Sequence, residues 1–110
     1  MIRLYQAGDE LGINELYEKV FGKKRSLAEW QWKFKTFPEG ATIVISEEDG
    51  HINGHAAFLK LTARQQGKEL MLGERVDIMV DPEAQGRGIY KQIVSRMIQE
   101  CKTEGIDILY

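Results

Sequence analysis

The chain has 110 residues, enough for one domain with a single modest core. It is 43% hydrophobic and 29% charged with a net charge of −2, an ordinary globular balance. That balance gives no support for nucleic-acid binding or a polybasic membrane contact. One cysteine, Cys101, allows no internal disulfide and fits a reducing cytoplasm. Met1 to Gln6 lacks the long apolar core of a secretory signal, and no apolar run is long enough to span a bilayer. A cytoplasmic protein with residues 1–110 forming one domain is therefore expected.

Ile2 to Tyr5 alternates apolar and polar residues and reads as a short strand. Asp9 can cap a helix whose Leu11, Leu16, Val20 and Phe21 lie roughly on one face, stopped by Gly22. Lys23-Lys24-Arg25 reads as a solvated loop. Ser26 and Glu29 form a Ser-x-x-Glu capping box for a second helix carrying Leu27, Trp30 and Phe34. Trp30 and Trp32 suit packing or a groove wall. Thr36 to Gly40 breaks that helix.

Three strands follow, at 41–46, 51–64 and 69–80. They are joined by Glu47-Glu48-Asp49-Gly50 and Gln65-Gln66-Gly67-Lys68, and sequential strands with tight turns form an antiparallel meander. A helix over 88–104 stacks Ile89, Ile93, Met97 and Cys101 at four-residue steps. Gly105 ends it, and Ile106 to Tyr110 begins a strand reached by a parallel, right-handed crossover. The expected fold is α+β, a mixed sheet in the order β-α-α-β-β-β-α-β.

The stretch from Val76 to Tyr90 carries the chemistry. An apolar strand stops at Asp81-Pro82, two glycines follow in Gln85-Gly86-Arg87-Gly88, and a helix begins. The first turn of a helix has unpaired N–H groups and a partial positive charge, and glycines let an anion approach them. The segment reads as a phosphate cradle built from backbone. The antiparallel hairpins upstream and the absence of Gly-x-Gly-x-x-Gly argue against a dinucleotide site.

Gln85-Gly86-Arg87-Gly88-Ile89-Tyr90 after Val80-Asp81-Pro82 resembles the acetyl-coenzyme A signature of the GNAT N-acetyltransferases, Gln/Arg-x-x-Gly-x-Gly/Ala. Tyr90 departs from it, standing where a small residue is usual. The order of elements resembles that fold through its fifth strand; the further helix and two strands usual in the family are not among these 110 residues. The resemblance implies acetyl-CoA as cosubstrate, with its pantetheine arm along the main chain of Ile78, Met79 and Val80. It implies that N–H groups from Gln85, Gly86, Arg87, Gly88, Ile89 and Tyr90 hold the pyrophosphate, helped by the Gln85 and Arg87 side chains.

The implied reaction is direct attack of an amine on the thioester, which needs a base. Glu74 is the first candidate, at a position where some family members keep a glutamate, and Asp77 the second. Alternation places Asp77 on the face opposite Val76 and Ile78 unless a bulge re-aims it, and the plain reading of either is a surface or paired carboxylate. The family's usual leaving-group acid, a Tyr on the helix after the fifth strand, would lie beyond residue 110; Tyr110 is not in the matching place. Cys101 reads as a core thiol, and His51 with His55 lacks a third ligand, so no metal is expected.

The leading expectation is an N-acetyltransferase acting on a small-molecule or peptide amine. The alternative is a non-catalytic acyl-CoA-binding or interaction module. The unfinished edge Ile106 to Tyr110 also offers a pairing surface for a homodimer.

Overall fold

Apolar side chains in the middle strands run nearly without interruption, Ile43-Val44-Ile45 and Ala56-Ala57-Phe58-Leu59, and a sheet covered on both faces explains why. A computed structural model describes residues 1–110. Its five strands are β1 (Ile2–Leu4), β2 (Ala41–Glu48), β3 (His51–Gln65), β4 (Lys68–Val80) and β5 (Ile108–Leu109), in spatial order β1-β2-β3-β4-β5. The first four are antiparallel neighbours, and β5 joins β4 in parallel. The mixed α+β architecture matches the order of elements expected above. No helix is long and apolar enough to cross a membrane.

Helices α1 (Asp9–Phe21) and α2 (Leu27–Phe34) cover one face of the sheet. Ile13, Leu16, Trp30 and Phe34 pack there against Ile43, Ile45, Ala57, Leu59 and Met79. Helix α3 (Ile89–Thr103) covers the other, where Ile89, Ile93, Met97 and Cys101 are buried against Val44, Ala56 and Phe58. The four-residue stack on α3 is thus the buried stripe that its spacing predicts.

Two sequence readings of α1 change. Its buried face is Ile13, Leu16 and, in part, Val20, at three- and four-residue steps, while Leu11 and Phe21 are exposed. Asp9 does not cap the helix: Gly8 holds the cap position at φ 101°, and the Asp9 carboxylate accepts from Arg3 Nη1 and Nη2 at 2.7 and 2.9 Å. The same carboxylate also accepts from the Gln6 N–H at 2.7 Å, so it is engaged by the segment before the helix and by β1. By contrast, Gly22 ends α1 at φ 72°, and the Ser26–Glu29 capping box is present.

Helix α3 sits directly on β3 at Gly54. A Cβ there would come within 2.7 Å of Ile89 Cγ2 and 3.1 Å of Ser46 Cβ. This close approach seats the helix whose N-terminus faces the site. Gly54→Val is expected to overpack that contact and lower unfolding free energy by about 1–3 kcal/mol, read as a reduced urea midpoint.

Candidate active site

Strand β4 changes character at Asp77. His55 pairs with Met79 and Ala57 with Val76, so Asp77 and Ile78 together oppose the single residue Ala56. This is a bulge, and Asp77 takes φ 49°, a left-handed conformation that Asp adopts more readily than most residues. The bulge turns the Asp77 side chain to the α2 face, the face of Val76, and not to the opposite one that alternation predicts.

Three groups hold it. Arg25 Nη1 donates to Asp77 Oδ2 at 2.6 Å and Lys33 Nζ to Oδ1 at 2.9 Å; the Arg25 and Asp77 side chains are each only 7% exposed. Arg25 therefore leaves the solvated loop expected of Lys23-Lys24-Arg25: its guanidinium lies 3.9 Å over the Tyr17 ring, inside the fold. From β3, His55 Nδ1 lies 2.7 Å from the Asp77 carbonyl oxygen. A carbonyl only accepts, so the Nδ1–H tautomer is fixed and Nε2 is left as a buried atom without a partner. His51 is exposed at the hairpin while His55 is fully buried, so the two are not a ligand pair.

Burial alone would raise the Asp77 pKa, but the hydrogen bonds from Arg25 and Lys33 outweigh it and hold the carboxyl below its usual range. A carboxylate bound on both oxygens by cations is a poor proton acceptor, so the geometry argues against Asp77 as the base and makes it an anchor. Glu74 differs. It is half-buried opposite Leu59, shares its face with Val76, and makes no hydrogen bond or ion pair with the protein. Glu74 opens onto a groove of about 620 Å³ that Trp32, Lys33, Phe37 and Pro38 also line.

Among residues 1–110, no strand pairs with the outer edge of β4 beyond Arg75. Pairing with β5 registers Leu72 with Ile108 and Gly73 with Leu109, and ends where Arg75 N–H meets Tyr110 O at 2.7 Å. The C-terminal end of β4, Ile78 to Val80, forms one wall of a cleft of about 560 Å³. Ile78, Met79 and Val80 line it, with Gln85, Gly86, Gly88, Ile89, Tyr90 and Lys91 opposite. The structure thus brings together the two segments expected to hold the cosubstrate.

The turn between them is built by Asp81, whose Oδ1 accepts from Glu83 N–H at 2.9 Å while Lys19 of α1 donates to Oδ2 at 3.0 Å. A 3₁₀ turn, Pro82–Ala84, follows, and Gly88 caps α3 at φ 76° with no side-chain acceptor. The first helical hydrogen bond is Gln92 N–H to Gly88 O, and the amides from Gln85 to Lys91 have no acceptor in the protein. α1 and α2 carry acids in their first turns; α3 carries none. Its positive end is left open to an anion. Arg87 is turned instead to Glu48, at 2.9 Å in an exposed pair, and Tyr90 stands exposed on the cleft wall.

The sequence reading missed Arg25, Lys33 and His55. One signal was available: a carboxylate inside an apolar strand requires a cation, and Arg25 and Lys33 flank the capped start and end of α2.

Burial lowers the His55 pKa from 6.5 to about 4. Between those values the unfolded chain binds a proton that the folded chain does not, so stability falls as pH drops through this window. The loss is on the order of 3 kcal/mol. Urea unfolding followed from pH 7 to pH 4 is expected to show it. His55→Gln, which keeps an N–H donor and does not titrate, is expected to flatten that slope.

A family model described as an acetyltransferase (GNAT) domain matches residues 1–110. Comparison with curated protein sequences returns no match. Among solved structures, an acetyltransferase from Vibrio fischeri superposes with a TM-score of 0.79 at 21% identity, covering 99% of this chain and 93% of that one. Glucosamine-6-phosphate N-acetyltransferase from Arabidopsis thaliana gives 0.76 at 17% identity, over 100% and 79%. Ribosomal-protein-alanine N-acetyltransferase from Brucella melitensis biovar Abortus 2308 gives 0.76 at 19%, over 99% and 77%. At these identities the likeness is one of fold. The bulged fourth strand, the free edge beyond it and the open helix N-terminus are thus arranged on a fold that acetyltransferases share, and with the family match over its whole length the chain belongs to the GNAT acetyltransferase family.

Proposed function

We propose that the chain is an acetyl-CoA-dependent N-acetyltransferase that moves the acetyl group directly to an amine. The observation that carries this reading is the run of unpartnered amides from Gln85 to Lys91 facing the free edge of β4 across one cleft. Main-chain donors at an acid-free helix N-terminus suit the pyrophosphate, and the free strand edge suits the amide groups of a pantetheine arm.

Glu74 is the base. Its carboxylate, free of protein partners, takes the proton from the incoming ammonium. The amine nitrogen then forms its bond to the acetyl carbon as the carbon–sulfur bond breaks. A thiol ionises near pH 8.5 (about the value of cysteine), so the thiolate leaves without a strong acid, and the second proton that the nitrogen releases as the amide forms passes through solvent to the thiolate. Asp77 holds the strand in register for this step and takes no proton.

Calorimetric titration with acetyl-CoA, with NAD as the control, tests the cradle. Binding of acetyl-CoA alone is expected. Gly88→Glu puts a side chain at a left-handed position and a negative charge among the free amides, and affinity should drop about 100-fold or more. Unchanged affinity in this variant would refute the site. Glu74→Gln is expected to leave acetyl-CoA affinity intact and to lower kcat by about 100-fold or more, with loss of the acid limb of the kcat pH profile. An unaltered profile would remove Glu74 from the role. Acetyl-CoA binding without transfer to any amine would instead identify a binding module.

A further inference from the structure

We infer that the acceptor is a primary amine with an apolar body of aromatic size and no anionic group, seated in the groove between α2 and β4. This rests on the acetyltransferase reading above and concerns what that reaction acts on. The groove holds about 620 Å³, within the range of small-molecule sites. Its walls are Trp32, Phe37, Pro38, Leu59 and Val76, with Glu74 as its one carboxylate. Trp32 is 75% exposed, and no aromatic ring or cation of the protein stacks on its indole. Leaving so large an apolar face in water is unfavourable, and it offers a flat platform for an apolar body and for the ammonium's attraction to a π-face.

Charge selects against the other amines. Lys33 is the groove's one cation, and its Nζ is bound to Asp77 Oδ1 at 2.9 Å. A sugar phosphate or an amino-acid carboxylate would therefore meet no free cation among the groove's lining residues, and would lie against unpaired Glu74. A polyamine would find a single carboxylate for its several charges. One ammonium on Glu74, with an uncharged apolar remainder over Trp32, satisfies every group in the groove. Glu74 also lies on β4 four residues before Ile78, the first residue of that strand to line the cosubstrate cleft. The ammonium is thus held on the strand whose far end forms the cleft wall.

The test uses 2-phenylethylamine as probe, with glucosamine 6-phosphate and an alanine-terminated peptide as competitors. Amine binding is first read by tryptophan emission without acetyl-CoA; Trp30 is buried and serves as the constant background. Quenching by 2-phenylethylamine is expected, and it should vanish in Trp32→Ala. In the transfer assay, kcat/KM for 2-phenylethylamine should exceed that for glucosamine 6-phosphate by about 100-fold. Trp32→Ala should raise the amine KM by about tenfold while the acetyl-CoA dissociation constant stays within about two-fold, and Trp32→Phe should restore most of the loss. Preference for either competitor, or an amine KM unmoved by Trp32→Ala, would overturn the assignment. Failure of the chain to bind acetyl-CoA would defeat the acetyltransferase reading instead, and the emission titration would still decide the groove.

Discussion

One residue, Asp77, sets the geometry of the site. Its left-handed backbone costs about 1–2 kcal/mol against ordinary strand, and its carboxylate is buried. Burying an ion pair seldom adds stability, because desolvation offsets the attraction. What the pairing with Arg25 and Lys33 supplies is definition. With those two cations held by the α1–α2 connection and by α2, the observed placement of the bulge leaves the Asp77 charge paired on both oxygens. His55 secures the same residue from β3 through its carbonyl, so the strand cannot slide without breaking contacts on both sides.

That bulge divides β4 into two working halves. Before it, Glu74 and Val76 face the groove under α2; after it, Ile78 to Val80 face the cleft under the N-terminus of α3. A regular strand would continue its alternation past residue 77. The extra residue turns Asp77 inward to its cations and leaves Ile78 and Val80 packed toward the α3 side while Met79 joins the core beneath α1 and α2. The electrostatics of the cleft are correspondingly local. A chain of net charge −2 offers no long-range pull on an anion, but a helix end free of acids, with Gly88 as its cap, presents open N–H groups where they are needed.

The elements were legible because each is locally consistent. The capping box at Ser26, the four-residue stack on α3, the glycine stops and the two tight turns between long strands each specify their own geometry, and the strand–glycine–helix order specifies the open N-terminus of α3. What stayed hidden depends on chain separation. Nothing near Arg25 marks it as buried; its partner lies 52 residues away, and two neighbouring lysines made it look like solvated charge. The stripe of α1 was misplaced for a different reason. Leu11 and Leu16 are five apart, which no helical face accommodates, whereas Ile13, Leu16 and Val20 keep the proper step.

The two carboxylates of β4 were nearly indistinguishable in sequence, three positions apart on one strand, and the fold separates them by what surrounds each. Asp77 is enclosed with two cations that keep it ionised and occupied. Glu74 meets an apolar wall and an open groove, with no protein cation to hold its charge. A proton acceptor must be able to change charge without unmaking structure. Protonating Asp77 would strand Arg25 in the interior, a change the fold resists; protonating Glu74 disturbs no protein contact. The same bulge that gives Asp77 its place in the shape of the strand therefore keeps its charge paired, and leaves Glu74 as the unpaired carboxylate that the proposed acetyl transfer assigns to the incoming amine.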